Sequence, residues 1–193
     1  MFVVGIAEAG KDAHTAGLIQ SLLDSCRVKG VSLVRLNPED YPENGYEDVD
    51  FDMIVRLSTP EEGEVMKNAV LPCTEEERKL LGSLDEDGIV IINSDNQELL
   101  SLMTDIKARV ITYGFNQKAS ITTSSVGDMN FGNDLIYCIQ RTVCTLEDKV
   151  IEPQELSFKL NSAEREKIYQ ALAVITTLLL CGADYRVMRE IPL

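Results

Sequence analysis

Short apolar runs, each about the length of one strand, punctuate the first two thirds of this chain, and they constrain its fold more than any other feature. They read FVVGI at 2–6, VSLVRL at 31–36, FDMIVRL at 51–57, GIVIIN at 88–93 and RVITYG at 109–114. Rich in β-branched residues and without an exposed face, each reads as a buried strand. Helical signals fall between them. Leu18, Ile19, Leu22, Leu23 and Cys26 recur at helical spacing after the first run. Thr59-Pro60-Glu61-Glu62 offers an N-cap, a proline at the first helical position and an acidic third residue, and Thr74 with Glu77 forms a capping box. NQELLSLMTDI at 96–106 fills the next gap. Strands alternating with helices predict crossover units, hence an α/β fold of the P-loop type, with a mostly parallel sheet and helices on both faces.

The pattern changes after Gly114. KASITTSS, NDLIYCIQRTV and QELSFKL alternate more clearly and lack intervening helices, which predicts a small antiparallel extension of the sheet. A last helix is expected from near Ser162, with Ile168, Leu172, Ile175 and Leu179 on one face, until Gly182 ends it. The stretch 37–50 reads as a polar, acidic loop. At 193 residues and 45% hydrophobic, the chain can bury one substantial core, and a single domain over 1–193 is expected.

Charge narrows the partners. With 32 acidic against 18 basic residues and a net charge of -14, the chain opposes the counterion release that drives binding to nucleic acids and anionic membranes. MFVVGIAEAGK lacks the basic start of a signal peptide, so a cytoplasmic location is expected. Cys26, Cys73, Cys138, Cys144 and Cys181 are scattered and never form a Cys-x-x-Cys pair, and the lone His14 cannot supply a clustered zinc site. Buried small hydrophobes in a reducing compartment fit these thiols. The strand-rich edges and the apolar last helix leave room for a homo-oligomer, although core packing is their ordinary use.

The first strand runs into GIAEAGKD. Gly5, Gly10 and Lys11 fit the pattern Gly-four residues-Gly-Lys-Ser/Thr of a phosphate-binding loop, but Asp12 stands where a hydroxyl should hold magnesium. Glycines let backbone N–H groups turn inward, the lysine reaches terminal phosphates, and the following helix N-terminus favours an anion. A carboxylate at Asp12 can bind magnesium directly, yet it also sets a negative charge beside the phosphates. The simpler reading makes Asp12 the helix N-cap and Gly10 a tight turn, with no ligand. His14 and Thr15 follow closely; His14 is assigned no role.

From residue 88 onward, GIVIINSDNQELLSLMTDIKARVITYGFNQKASITTSS resembles the second half of the central, ATP-binding domain of Mur ligases. In that family a strand ends in Asn-x-Asp-Asp, a helix follows, and the next strand ends in a Phe/Tyr-Gly turn. The matching residues are Asn93-Ser94-Asp95-Asn96 and Tyr113-Gly114. EKIYQALAVITTLLLCGAD is similar to the family helix that begins His-Asn-x-x-Asn-Ala-Leu-Ala-Ala, and VVGIAEAGKDAHTAGLIQSLL to its strand, Gly-Thr-x-Gly-Lys-Thr/Ser loop and helix. Folylpolyglutamate and cyanophycin synthetases share this domain.

The resemblance implies ATP and Mg2+ as ligands. Family members phosphorylate a carboxylate, and an amine then attacks the acyl phosphate to form an amide. Departures fall on those stations. Ala7 stands at the first glycine of the family loop, Asp12 replaces the metal-binding hydroxyl, Glu166 and Lys167 replace the His-Asn pair, and Gln170 replaces the next asparagine. Gln170 keeps an amide able to read an adenine edge. The acidic strand end with its magnesium glutamate, and the later Thr-Asn-x-x-x-Asp-His motif, are missing around FDMIVRLSTPEEGEV. Ser58, Thr59, Glu61 and Glu62 stand where the latter would lie, and helix capping accounts for them. The resemblance therefore implies a central domain with a degenerate loop: Gly5, Gly10, Lys11, Asp12 and Gln170 for weak nucleotide binding, Asp12 for any metal, and a regulatory or scaffolding role beside a ligase or other protein partner. Two further readings stay open: an ATP-dependent amide-bond-forming ligase component completed by a partner subunit, and a structural protein with no ligand.

Overall fold

The computed structural model describes residues 1–8, 14–36, 46, 49–57, 75–97, 100, 106–126, 134–162 and 164–189, with 75–77 and 125–126 described in their backbone alone. The strands are β1 (Phe2–Ala7), β2 (Val31–Leu36), β3 (Met53–Arg56), β4 (Ile89–Asn93), β5 (Arg109–Tyr113), β6 (Ile121–Val126), β7 (Asp134–Ile139), β8 (Val143–Cys144), β9 (Val150–Ile151) and β10 (Gln154–Lys159). The helices are α1 (Thr15–Ser25), α2 (Glu75–Ser83), α3 (Arg165–Leu180) and α4 (Tyr185–Met188). Eight strands form one sheet in the order β10-β7-β6-β5-β4-β3-β1-β2, and β8 and β9 pair separately.

The β1–β6 part of the sheet is parallel, and β7 and β10 extend it antiparallel. Alternation explains the continuous apolar runs. Met53 and Val55 of β3, with Ile89 and Ile91 of β4, join the core beneath α1 and α3. Their neighbours Ile54, Val90 and Ile92 point the other way, into a second cluster with Leu80 and Leu81 of α2. A strand covered on both faces needs apolar side chains at every position. β2 departs from this reading: it is the edge strand, and four of its residues are only half-buried.

The expected one-sided last helix is instead buried all round. From Ile168 to Leu180 only Gln170 is not buried, because α3 packs on α1 as well as on β4, β5 and β6. Its polar residues are accommodated locally: Thr176 and Thr177 donate to the carbonyls of Leu172 (2.6 Å) and Ala173 (2.8 Å). Gly182, at φ +87°, ends the helix as read from the sequence, and Ala183 N–H donates to Leu178 O at 2.9 Å. The helix starts at Arg165 rather than Ser162. The helix starts read at Thr59-Pro60 and Thr74, most of the 37–50 loop, and Cys73 lie outside the described residues. No helix among the described residues is long and apolar enough to cross a membrane.

Burial pushes the Cys181 thiol up from 9.0 to about 12. A folded-state value above the unfolded one gives stability that is complete below the unfolded pKa and is lost as pH rises through the folded one. The denaturation midpoint is therefore expected to fall as pH rises from 9.0 towards about 12. Cys181→Ala should flatten the first part of that fall, and an unchanged alkaline limb would show that the thiol does not set it.

Candidate functional site

β1 lies between β2 and β3, so the chain steps first to one side and then to the other. The crevice outside the carboxyl ends of the strands at such a reversal is where parallel α/β sheets place ligands. Glu8 follows β1, Arg56 ends β3, Asn93 ends β4 and Tyr113 ends β5, all along this edge. The N-terminus of α1 and the first turns of α3 close it.

Thr15, the first residue of α1, is buried at 1% exposure. Its backbone N–H donates to Glu8 Oε2 at 3.0 Å, and its hydroxyl donates to Glu8 Oε1. The N-cap position belongs to exposed His14, whose side chain makes no cap bond, and not to Asp12. The Glu8 side chain does that work instead. Gln170 of α3 completes the arrangement, its Nε2 donating to Thr15 Oγ1 at 2.8 Å while its Oε1 accepts from Lys167 Nζ at 3.3 Å. A carboxylate thus sits on the helix-start amide, held through a threonine by an amide from the central helix.

The predicted site residues divide. Gly10, Lys11 and Asp12 lie outside the described residues. Gly5 lies inside β1, where an added Cβ would come within 2.7 Å of Leu36 Cδ1 and 3.1 Å of the Phe51 ring, so close packing already asks for a glycine. Gln170 meets the first turn of α1. Sequence reading missed Glu8, since a single glutamate after a strand carries no signal of its partner.

Beside Ala7, in register with it, stands Arg56, only 3% exposed. Its Nη1 donates to Leu57 O at 3.0 Å, and its carbonyl accepts from the Tyr113 hydroxyl at 3.3 Å. A guanidinium stays charged in any protein environment. The end of β3 therefore carries a buried guanidinium.

Asp95 organises the far side of the crevice. Its Oδ2 accepts from Phe115 N–H at 2.6 Å and from the Tyr169 hydroxyl at 2.8 Å, and its Oδ1 from Asn116 N–H at 3.1 Å. Gly114 is needed there, because a Cβ would lie 2.7 Å from Asp95 Oδ2. The Asn116 amide donates to Ser94 O (3.2 Å) and Oγ (3.0 Å), and Ser94 N–H donates to Tyr113 O at 2.8 Å. Phe115 meets Tyr169 edge-on at 4.8 Å between ring centres, with the Arg165 guanidinium 5.3 Å over Phe115. Burial first, with Asp95 adding to it and Arg165 opposing, pushes the Tyr169 hydroxyl up to about 12, so it remains a donor. The Asn93–Asn96 and Tyr113-Gly114 motifs, distant in sequence, are thus one latch fastened by α3.

The same architecture occurs in solved structures. The UDP-N-acetylmuramate:L-alanyl-gamma-D-glutamyl-meso-diaminopimelate ligase from Neisseria meningitides matches with a TM-score of 0.63 at 16% identity, covering 98% of this chain and 64% of that one. A murein peptide ligase from Psychrobacter arcticus matches with a TM-score of 0.67 at 6% identity, covering 97% of this chain and 45% of that one. The chain has a Mur ligase-like fold and spans less than two thirds of the length of either structure. No family model and no curated protein matches it.

Proposed function

We propose that this chain is a single Mur ligase-like domain whose phosphate loop is degenerate, that it does not turn over ATP alone, and that it binds ATP or phosphate weakly at most. Its work is then regulatory or scaffolding, beside a protein partner. The observation that carries this reading is the Glu8 carboxylate on the Thr15 N–H and hydroxyl. A phosphate at a helix start uses such amides, together with the partial positive charge of the helix end. Here an internal anion has taken one of them, and any phosphate would meet its charge.

The same crevice fits magnesium poorly. Divalent magnesium asks for carboxylate, carbonyl or water oxygens. At the end of β3, in register with Ala7, the side chain is the guanidinium of Arg56, which offers a metal no oxygen. No step of phosphoryl transfer is assigned to these residues. The pair Gly10-Lys11 favours the second reading, an ATP-dependent amide-bond-forming ligase component completed by a partner subunit.

Thermal unfolding with and without millimolar ATP and magnesium, in wild type and Lys11→Ala, separates the two. A ligand present at its dissociation constant adds about 0.4 kcal/mol, a shift of about 1–2 °C for a chain of this size. Wild type is expected to shift by no more than that. A rise of several degrees that disappears in Lys11→Ala would favour the ligase component instead.

A further inference from the structure

A cavity of about 630 Å³ opens on the antiparallel extension, at a distance in sequence and in chemistry from the loop after β1. That volume suits a small molecule. Pairing sets Thr122, Cys138 and Glu155 in one row across β6, β7 and β10, with their side chains on one face. The alternate residues, Tyr137 and Phe158 among them, pack in the core on the other face. Thr122 and Cys138 form a buried floor at 5% and 7% exposure, and Glu155 stands exposed at the rim.

The Cys138 thiol has one proton to share between Ile136 O at 3.6 Å and Glu155 Oε1 at 3.7 Å, weak contacts that leave the carboxylate most of its accepting capacity. Among the described residues no lysine or arginine lines the cavity or forms an ion pair with Glu155. Gln140, oriented so that its amide nitrogen donates to Gln117 O (2.8 Å) and Ala119 O (3.2 Å), fixes one wall. Phe115 supplies apolar surface.

We propose that this cavity binds a primary ammonium compound, its charged head on Glu155 and its methylene stem along Phe115. The ammonium group offers N–H donors to match the carboxylate and hydroxyl oxygens around it, and it accepts nothing, so the absence of lining cations suits it. The charged group that lines the cavity, Glu155, repels an anion. The net charge of -14 raises the local concentration of cations and speeds encounter. This site is independent of the nucleotide reading.

The test is a titration followed by backbone amide NMR, with 1,5-diaminopentane as probe and 1,5-pentanediol as its neutral counterpart of similar length. The diamine is expected to move the signals of Thr122, Cys138 and Glu155, and the diol to bind about tenfold more weakly or not at all. Glu155→Gln, a substitution of equal length at an exposed position, should weaken the diamine by about tenfold or more. Glu152→Gln, at another exposed acidic position, should leave it unchanged and so remove general attraction to an acidic protein as an explanation. Equal binding of diol and diamine, shifts spread over the surface and indifferent to Glu155→Gln, or inorganic phosphate moving the same signals would each overturn the proposal.

Discussion

Asp95→Ala is expected to lower the unfolding free energy by about 3 kcal/mol, read from the denaturant midpoint at unchanged slope. The carboxylate accepts from two backbone amides and one buried phenol, and alanine replaces none of these bonds. Bonds to a charged acceptor contribute about 1.5–3 kcal/mol each, but water reaches this half-buried side chain and restores part of the loss. The effect spreads because Asp95 connects the end of β4, the turn after β5 and the first turns of α3. Asp95→Asn keeps one acceptor oxygen and should cost about half as much. A loss below about 1 kcal/mol in Asp95→Ala would mean that the turn and α3 hold together without the latch.

Glu8→Gln is expected to raise the affinity for ATP about tenfold by calorimetry, with stability lowered by about 1 kcal/mol or less. The sign is opposite to that of most loop substitutions. Removing a negative charge near a phosphate relieves a repulsion of about 1 kcal/mol or more, according to how much water lies between. Glutamine keeps an oxygen that can accept from the Thr15 amide, so α1 retains its start. Gln170→Ala, which removes the donor to Thr15 Oγ1, should leave ATP affinity nearly unchanged if its amide serves the helix contact. Unchanged or weaker ATP binding in Glu8→Gln would remove Glu8 as the competitor.

The parallel strands were legible in the sequence because burial on both faces leaves β3 and β4 apolar up to their last residues, Arg56 and Asn93. Periodicity was less informative for α3. It marks one apolar stripe, but it cannot tell an amphipathic helix from one surrounded by neighbours when alanines and back-bonded threonines fill the other faces. β2 reads like an interior strand and lies at the edge, since strand order is decided by crossovers and not by composition. In the crevice, the Asn93–Asn96 and Tyr113-Gly114 motifs were visible as short patterns, whereas Tyr169 and Arg165 were not, being single residues on a helix whose neighbours are far away in sequence. Glu8 is the clearest case. Its role depends on how the chain returns to Thr15, a geometry that one acidic residue does not announce.

The measurement that bears most directly on the proposed loss of catalysis is phosphate release from ATP by the purified chain, with magnesium, a carboxylate mixture and amino acid acceptors, in wild type and Lys11→Ala. The expected result is release at the buffer rate in both. Release by wild type that Lys11→Ala abolishes would contradict it, and would mean that the Glu8 carboxylate leaves the α1 amide when substrate arrives.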